Sequence, residues 1–190
     1  MPTFRTSNPV SAADVERAGA DTSPHLILVG LPGSGKTRTG MTVAERLSRP
    51  FLDFDAEIER REHQSISEIF AQRGEPAFRA MELALTRDLA MANNMILAPG
   101  GGWITNAGCL GILKPPSILI YLQVSPETAL ARMGGGAWRR PLLNRPDPVG
   151  ELRKLLAERE SLYLQANHTI RADKMTLAQV ADSIVALARG

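Results

Sequence analysis

Gly30-Leu31-Pro32-Gly33-Ser34-Gly35-Lys36-Thr37 is the stretch that decides the fold of this 190-residue chain. It follows an uninterrupted apolar run, residues 26–29, which predicts a buried strand. Apolar residues at helical spacing come after it, at Met41, Val43, Ala44 and Leu47. A glycine-rich loop that ends in Gly-Lys-Thr between a strand and a helix is the pattern of a phosphate-binding loop.

The residues of this loop suit a polyphosphate. Gly33, Ser34 and Gly35 let successive backbone N–H groups turn toward phosphate oxygens, and the start of the following helix adds its positive dipole. Lys36 is predicted to reach the β and γ phosphates, and the hydroxyl of Thr37 to ligate Mg²⁺. The alternative is an ordinary glycine-rich turn.

Composition indicates one α/β domain. The chain is 44% hydrophobic with a formal charge of +2, and it has no dense Lys/Arg block, so we expect no nucleic-acid partner. Its one cysteine, Cys109, excludes an internal disulfide and favours a cytoplasmic setting, and no apolar stretch is long enough to span a membrane. We expect residues 1–24 to be a disordered tail and residues 25–190 to form the single domain.

Strand and helix patterns alternate along the rest of the chain. Further strands are predicted at residues 51–55, 95–98, 117–122 and 168–170, with helical patterns between them. This alternation is typical of a doubly wound parallel sheet flanked by helices. Residues 133–148 are dense in Gly, Pro and Arg and predict a mobile surface lid.

Two aspartates, Asp53 and Asp55, follow the second predicted strand. On an extended segment they would point to the same side, at the carboxyl edge of the sheet where ligands bind. One carboxylate would then organise Mg²⁺, and the other would accept a proton from an attacking hydroxyl or hold it in line. The alternatives are a helix N-cap for Asp55 and a solvated strand end for Asp53. With no guanine-reading Asn-Lys-x-Asp motif present, this pattern favours a small-molecule kinase.

Arginines and glycines supply further candidate site residues. Arg159 falls on the apolar stripe of its predicted helix and therefore needs an anion, either a buried carboxylate of the protein or an acidic substrate. Arg79 lies three residues before Glu82, as in an ordinary surface ion pair. Gly100-Gly101-Gly102 is either a flexible break or a place where backbone approaches a ligand. Arg140 is either solvated or brings positive charge to a phosphoryl group when the lid closes.

Several motifs in order resemble shikimate kinase. They are the phosphate loop, Asp53-Phe54-Asp55, Ile69-Phe70 with Gly74-Glu75, Phe78-Arg79-Ala80-Met81-Glu82, Gly100-Gly101-Gly102, Arg140-Pro141-Leu142-Leu143, and Arg159 with Leu162-Tyr163. The resemblance covers residues 25–188. It implies a fold like that of nucleoside monophosphate kinases, with a five-stranded parallel sheet and a lid. It also implies phosphorylation of the 3-hydroxyl of shikimate by ATP with Mg²⁺, in aromatic amino-acid biosynthesis.

The resemblance implies a role for each matching residue. On the nucleotide side, Lys36 and Thr37 bind phosphates and Mg²⁺, Asp53 lies near the metal, Arg132 stacks on adenine, and Arg140 contacts the phosphates from the lid. On the acceptor side, Asp55 holds the hydroxyls and acts as the base. The remaining acceptor residues clamp the carboxylate or line the ring's apolar face: Arg79, Arg159, Gly101, Gly102, Phe70 and Phe78.

Three positions depart from the family's pattern: Phe54, Pro99 and Ser161. We expect a packing change at Phe54 and a shifted glycine loop after Pro99, with every catalytic group retained. The alternatives are another small-molecule kinase, such as a gluconate-kinase-like enzyme, a ligand-sensing module without turnover, and a pure nucleotide-binding or ATPase scaffold, which would not need two arginines for a carboxylate. We expect a monomer.

Overall fold

A five-stranded parallel sheet forms the centre of the fold. The computed structural model describes residues 23–113, 116–134 and 146–189. The strands are ordered β2-β3-β1-β4-β5, and every pairing between neighbours is parallel. They comprise β1 (Leu26–Val29), β2 (Phe51–Asp53), β3 (Ile96–Ala98), β4 (Ile118–Gln123) and β5 (His168–Arg171). The predicted fold class is confirmed.

Helices cover both faces of the sheet. The described ranges contain α1 (Lys36–Leu47), α2 (Phe54–Glu62), α3 (Ile66–Leu89), α4 (Ala107–Leu113), α5 (Pro126–Met133), α6 (Pro148–Tyr163) and α7 (Leu177–Arg189). A 3₁₀ turn, Trp103–Thr105, lies between β3 and α4. The long helix α3 is interrupted at Gly74, whose φ of 76° and ψ of 171° are not helical, so its second half begins near Glu75-Pro76 as predicted. None of these helices is both long and apolar enough to cross a bilayer.

The core has two parts because successive strand residues face opposite sides of the sheet. Ile27 and Val29 of β1 pack on one side, in a cluster with side chains of α3 and α4. Leu26 and Leu28 pack on the other side, in a cluster with side chains of α1, α6 and α7. Burial on both sides explains why the strands of a parallel sheet appear in the sequence as unbroken apolar runs.

The predicted second strand is too long. β2 ends at Asp53, and Phe54 and Asp55 already belong to the first turn of α2. The cause is local, because Asp53 Oδ1 accepts a hydrogen bond of 3.2 Å from the backbone N–H of Ala56 and so caps the helix. The N-cap is therefore Asp53, and the alternative of Asp55 as the cap is wrong. The two aspartates do not share one extended segment.

Two predicted segments lie largely outside the described residues. Helix α6 begins at Pro148 with Asp147 as its N-cap, at the end of the predicted lid. Arg140 and the rest of residues 135–145 lie outside the described residues. Near the end of the expected tail of residues 1–24, the carbonyl of Ser23 accepts a 2.8 Å hydrogen bond from Asn94 N. Residues 1–22 lie outside the described ranges.

A capping box at the start of α3 provides a test of the fold. The side chain of Ser65 accepts a hydrogen bond from Glu68 N, and the Glu68 carboxylate accepts one from Ser65 N. Ser65→Ala should lower the free energy of unfolding in urea by about 1 kcal/mol. The matched control is Ser183→Ala, since the Ser183 hydroxyl bonds back to Gln179 O within α7. That variant should be neutral or slightly stabilised. Equal effects of the two substitutions would contradict the capping role.

Candidate active site

The phosphate-binding loop joins β1 to α1 in a closely packed arrangement. Gly33 and Gly35 have φ angles of 82° and 97°. A Cβ at Gly33 would lie 2.4 Å from the carbonyl oxygen of Ala129, so only glycine fits there. Lys36 Nζ donates hydrogen bonds of 2.9 Å to the carbonyl oxygens of both Gly30 and Leu31. Its ammonium group is therefore held inside the loop.

Thr37 and Asp53 come together at the mouth of this loop. The Thr37 hydroxyl donates a 2.6 Å hydrogen bond to Asp53 Oδ2, while Asp53 Oδ1 caps α2. The fixed carboxylate therefore stands beside the hydroxyl at the first turn of α1. Hydroxyl and carboxylate oxygens are the donors that Mg²⁺ prefers, and the ion commonly keeps several waters and bridges to substrate phosphates. This pair of side chains fits such a site.

Asp55 faces the glycine loop that follows β3. A Cβ at Gly100 would lie 3.1 Å from Asp55 Oδ1 and 3.2 Å from Glu82 Oε1. Two carboxylates thus approach the backbone at one position, and the missing side chain of Gly100 makes room for them. Asp55 also lines the same cleft as the phosphate loop.

Arg79 contacts two carboxylates, an aromatic ring and the glycine loop. Its ion pair with Glu82 is buried, so the prediction of an ordinary surface pair is wrong. Its Nη1 bonds to Glu82 Oε2 at 2.5 Å and its Nη2 to Glu75 Oε1 at 2.7 Å. Glu82 is fully buried, whereas Glu75 is half exposed. The guanidinium also lies 5.4 Å from the centre of the Phe78 ring. A Cβ at Gly102 would be 2.2 Å from Arg79 Nη2, so the loop backbone packs directly against the charge.

Glu82 is a site residue that the sequence analysis missed. Burial raises the pKa of its carboxyl to about 7, and the neighbouring Asp55 also raises it, against the lowering effect of Arg79 and Arg159. A signal was present in the sequence, because Glu82 falls on the helical stripe of Phe78, Leu85 and Leu89. The periodicity argument used for Arg159 would have placed Glu82 in the interior as well.

Arg159 lies on the buried face of α6, as its position on the apolar stripe predicts, and only 7% of it is exposed. No carboxylate within residues 23–113, 116–134 and 146–189 forms an ion pair with it. A pairing with a buried protein carboxylate is therefore not observed there. Its positive charge does contribute to the field at Glu82.

The nucleotide side of the cleft has a polar and an apolar wall. The cleft has a volume of about 520 Å³ and extends from the phosphate loop to Asp55 and Gly100-Gly101. Arg132 lies along it and donates hydrogen bonds to Ser34 O at 3.1 Å and to Ala172 O at 2.5 Å, which fix the plane of its guanidinium. An apolar wall lies beside Arg132 and was not predicted from the sequence. It is formed by Met133, Met175, Leu177 and Val180.

The two predicted ring-lining phenylalanines pack against each other. The ring centres of Phe70 and Phe78 are 5.0 Å apart. Phe78 is nearly buried in the core, whereas Phe70 is half-buried at its margin. Of the predicted site residues within the described ranges, the phosphate loop, Asp53, Asp55, Gly101 and Arg132 line the cleft, whereas Phe70, Phe78, Arg79, Gly102 and Arg159 lie outside its lining.

Comparison with known proteins gives one family. The family model described as shikimate kinase matches residues 32–189. A shikimate kinase from Symbiobacterium thermophilum is 40% identical over 85% of this chain and 94% of its own length. One from Mycobacterium avium is 42% identical over 80% of this chain and 84% of its own. The solved structure of Acinetobacter baumannii shikimate kinase in complex with shikimate has 39% identity and a TM-score of 0.83, and covers 87% of this chain and 93% of that one. A gluconokinase from Sinorhizobium meliloti, at 16% identity and a TM-score of 0.58, shares the fold alone.

Burial of Glu82 predicts a pH-dependent stability. Its pKa in the folded state, about 7, exceeds the ordinary 4.5, so its protonation stabilises the fold below pH 4.5 and this contribution is lost as the pH rises through 7. Between pH 5 and pH 8 the free energy of unfolding of Glu82→Gln should therefore rise by about 2 kcal/mol relative to wild type. Urea unfolding at the two pH values measures the difference.

The matched control removes the other carboxylate that pairs with Arg79. Glu75 is half exposed, so Glu75→Gln should keep a nearly constant offset from wild type at both pH values. A pH-independent offset for Glu82→Gln as well would show that Glu82 keeps its charge in the folded protein throughout this range.

Proposed function

The chain belongs to the shikimate kinase family of ATP-dependent kinases, and on this basis we propose that it transfers the γ-phosphoryl group of ATP to the 3-hydroxyl group of shikimate. The observation that supports the acceptor most directly is Arg159, a buried guanidinium that forms no ion pair with the described carboxylates. Its charge acts on Glu82, whose carboxylate lies beside Gly100 in the wall of the cleft that begins at the phosphate-binding loop, and an acceptor with a carboxylate would supply the opposite charge.

The nucleotide half of the proposed mechanism belongs to the loop and to Arg132. Backbone N–H groups of Gly33, Ser34 and Gly35, with Lys36, would bind the phosphates, and Arg132 would lie against the adenine. Thr37 and Asp53 would hold Mg²⁺. When bound, the ion neutralises charge on the phosphate oxygens and orients them. Arg140, outside the described residues, is proposed to add positive charge from the lid.

The acceptor half depends on Asp55 and two arginines. Asp55 would hold the 3-hydroxyl in line with the γ phosphorus and accept its proton as the new P–O bond forms and the bond to ADP breaks. Arg79 and Arg159 would pair with the substrate carboxylate, beside the backbone of Gly101 and Gly102. The ring's apolar face would meet Phe70, with Phe78 behind it.

The remaining features of the proposal rest on the sequence and on the family. We propose a single domain over residues 25–190 preceded by a tail, and a monomer in the cytoplasm that has no nucleic-acid or membrane partner. Its product would enter the biosynthesis of aromatic amino acids.

A coupled assay of ADP release tests the function. The protein is incubated with ATP and Mg²⁺ alone, with shikimate, or with gluconate. Release that requires shikimate supports the proposal. Release that requires gluconate would assign another acceptor, and ATP binding without release under any condition would favour a ligand-sensing module.

Substitution of Asp55 separates chemistry from binding. Asp55→Asn keeps the shape of the side chain and removes the proton acceptor, so kcat should fall by about 10² or more, whereas the affinity for ATP should change little. The matched control is Asp88→Asn, which removes an exposed carboxylate that pairs with Arg61. It should retain wild-type turnover. Unchanged turnover of Asp55→Asn would exclude Asp55 as the base.

A further inference from the structure

Tyr163 is a buried residue of α6 to which the proposed mechanism assigns no role. It lies one helical turn after Arg159 and is fully buried. Its ring stacks on that of Tyr121 in β4, with ring centres 5.0 Å apart and an angle of 23° between the planes. The stack holds the ring in one orientation, so its hydroxyl has a fixed position.

The hydroxyl of Tyr163 connects two parts of the acceptor site. It donates a 2.5 Å hydrogen bond to the carbonyl oxygen of Gly101. The positive charge of Arg159 acts on the same phenol and partly offsets the burial that raises the pKa of Tyr163 to about 12. Because a phenol has one proton to donate and lone pairs that accept, it can serve both partners at once.

Gly101 is in turn packed against the phosphate loop. A Cβ at Gly101 would lie 2.9 Å from Pro32 Cδ and 3.2 Å from the carbonyl oxygen of Gly30. That same Gly30 oxygen accepts a hydrogen bond from Lys36. Contacts therefore extend from Tyr163 through Gly101 to the loop that binds phosphate, and the charge of Arg159 acts on the tyrosine at the start of this series.

We propose that Tyr163 is a positioning residue for the acceptor: its hydroxyl fixes the Arg159 guanidinium against the backbone of Gly101. The arginine is thereby held at a set place relative to the phosphate loop before an acceptor arrives, so less freedom is lost on binding. This inference rests on the proposed function, because it takes Arg159 as the group that meets the acceptor carboxylate.

The chain offers a matched control in Tyr121. It is the other member of the stack and is equally buried, but its hydroxyl has no hydrogen-bond partner among the described residues. Tyr163→Phe and Tyr121→Phe each remove one buried oxygen and leave the rings stacked. Only the first removes a contact to Arg159 and Gly101.

The experiment measures dissociation constants for shikimate and for ATP by calorimetry, and kcat, in wild type and both variants. Tyr163→Phe should weaken shikimate binding by about tenfold and leave ATP binding within about twofold, while Tyr121→Phe changes neither. The loss in Tyr163→Phe should disappear with the methyl ester of shikimate, which lacks the charge that Arg159 would meet.

A second arm tests whether Tyr163 acts through Arg159. If it does, Tyr163→Phe combined with Arg159→Lys should bind shikimate no more weakly than Arg159→Lys alone. Additive losses, equal losses for shikimate and ATP, or the same loss with the ester would each overturn the inference and leave Tyr163 a purely structural residue. Shikimate-dependent turnover of the wild type reports separately on the proposed function. Its absence would contradict that function, and the inference with it.

Discussion

The charges buried beside the glycine loop are the constraint on which the site depends. Glu82 is fully removed from water and Arg159 almost fully, and such groups are costly unless opposite charges and hydrogen bonds compensate them. Arg79 compensates Glu82 directly. The glycine at 100 allows the backbone to approach Glu82, and the glycine at 102 allows it to approach Arg79, since a Cβ at either position would crowd these side chains. Arg79 on α3 is thus already paired with carboxylates, whereas Arg159 on α6 forms no ion pair with a described carboxylate.

The two halves of the site are joined at the end of β2. Asp53 stops the strand by capping α2, and the same carboxylate accepts the hydrogen bond of Thr37 from the phosphate loop. Because the cap starts a helix at Phe54, Asp55 lies on the first turn of α2 and faces Gly100. The position of the proposed base relative to the metal side therefore follows from one capping interaction. This also explains how Phe54 is accommodated: it is fully buried against Trp103, away from the cleft.

The sequence predicts the phosphate loop and the parallel sheet well because both leave local signals. Buried strands are continuous apolar runs, and the loop is a motif of adjacent residues. Prediction from the sequence fails where the position of a residue depends on packing against a segment far away in the chain. Arg79 and Glu82 have the spacing of a surface pair. The apolar stripe that includes Glu82 indicates its burial, but the packing of Arg79 against Gly102 depends on a loop some twenty residues later. The end of β2 was missed for a different reason, since a strand residue and an N-cap have the same extended backbone.

A phosphate loop on a parallel sheet does not by itself choose an acceptor, because many kinases share that arrangement. The residues that select the acceptor must therefore lie in parts of the chain outside the phosphate loop. Under the proposed function those parts are α3, the glycine loop and α6, and the two helices carry the buried charges of Glu82 and Arg159. Tyr163 interacts electrostatically with one of these charges and donates a hydrogen bond to the loop backbone, which itself packs on Pro32. Under the proposed function, acceptor recognition and phosphate binding would thus share one set of packed elements, and a change in either would alter the geometry between the attacking hydroxyl and the phosphorus.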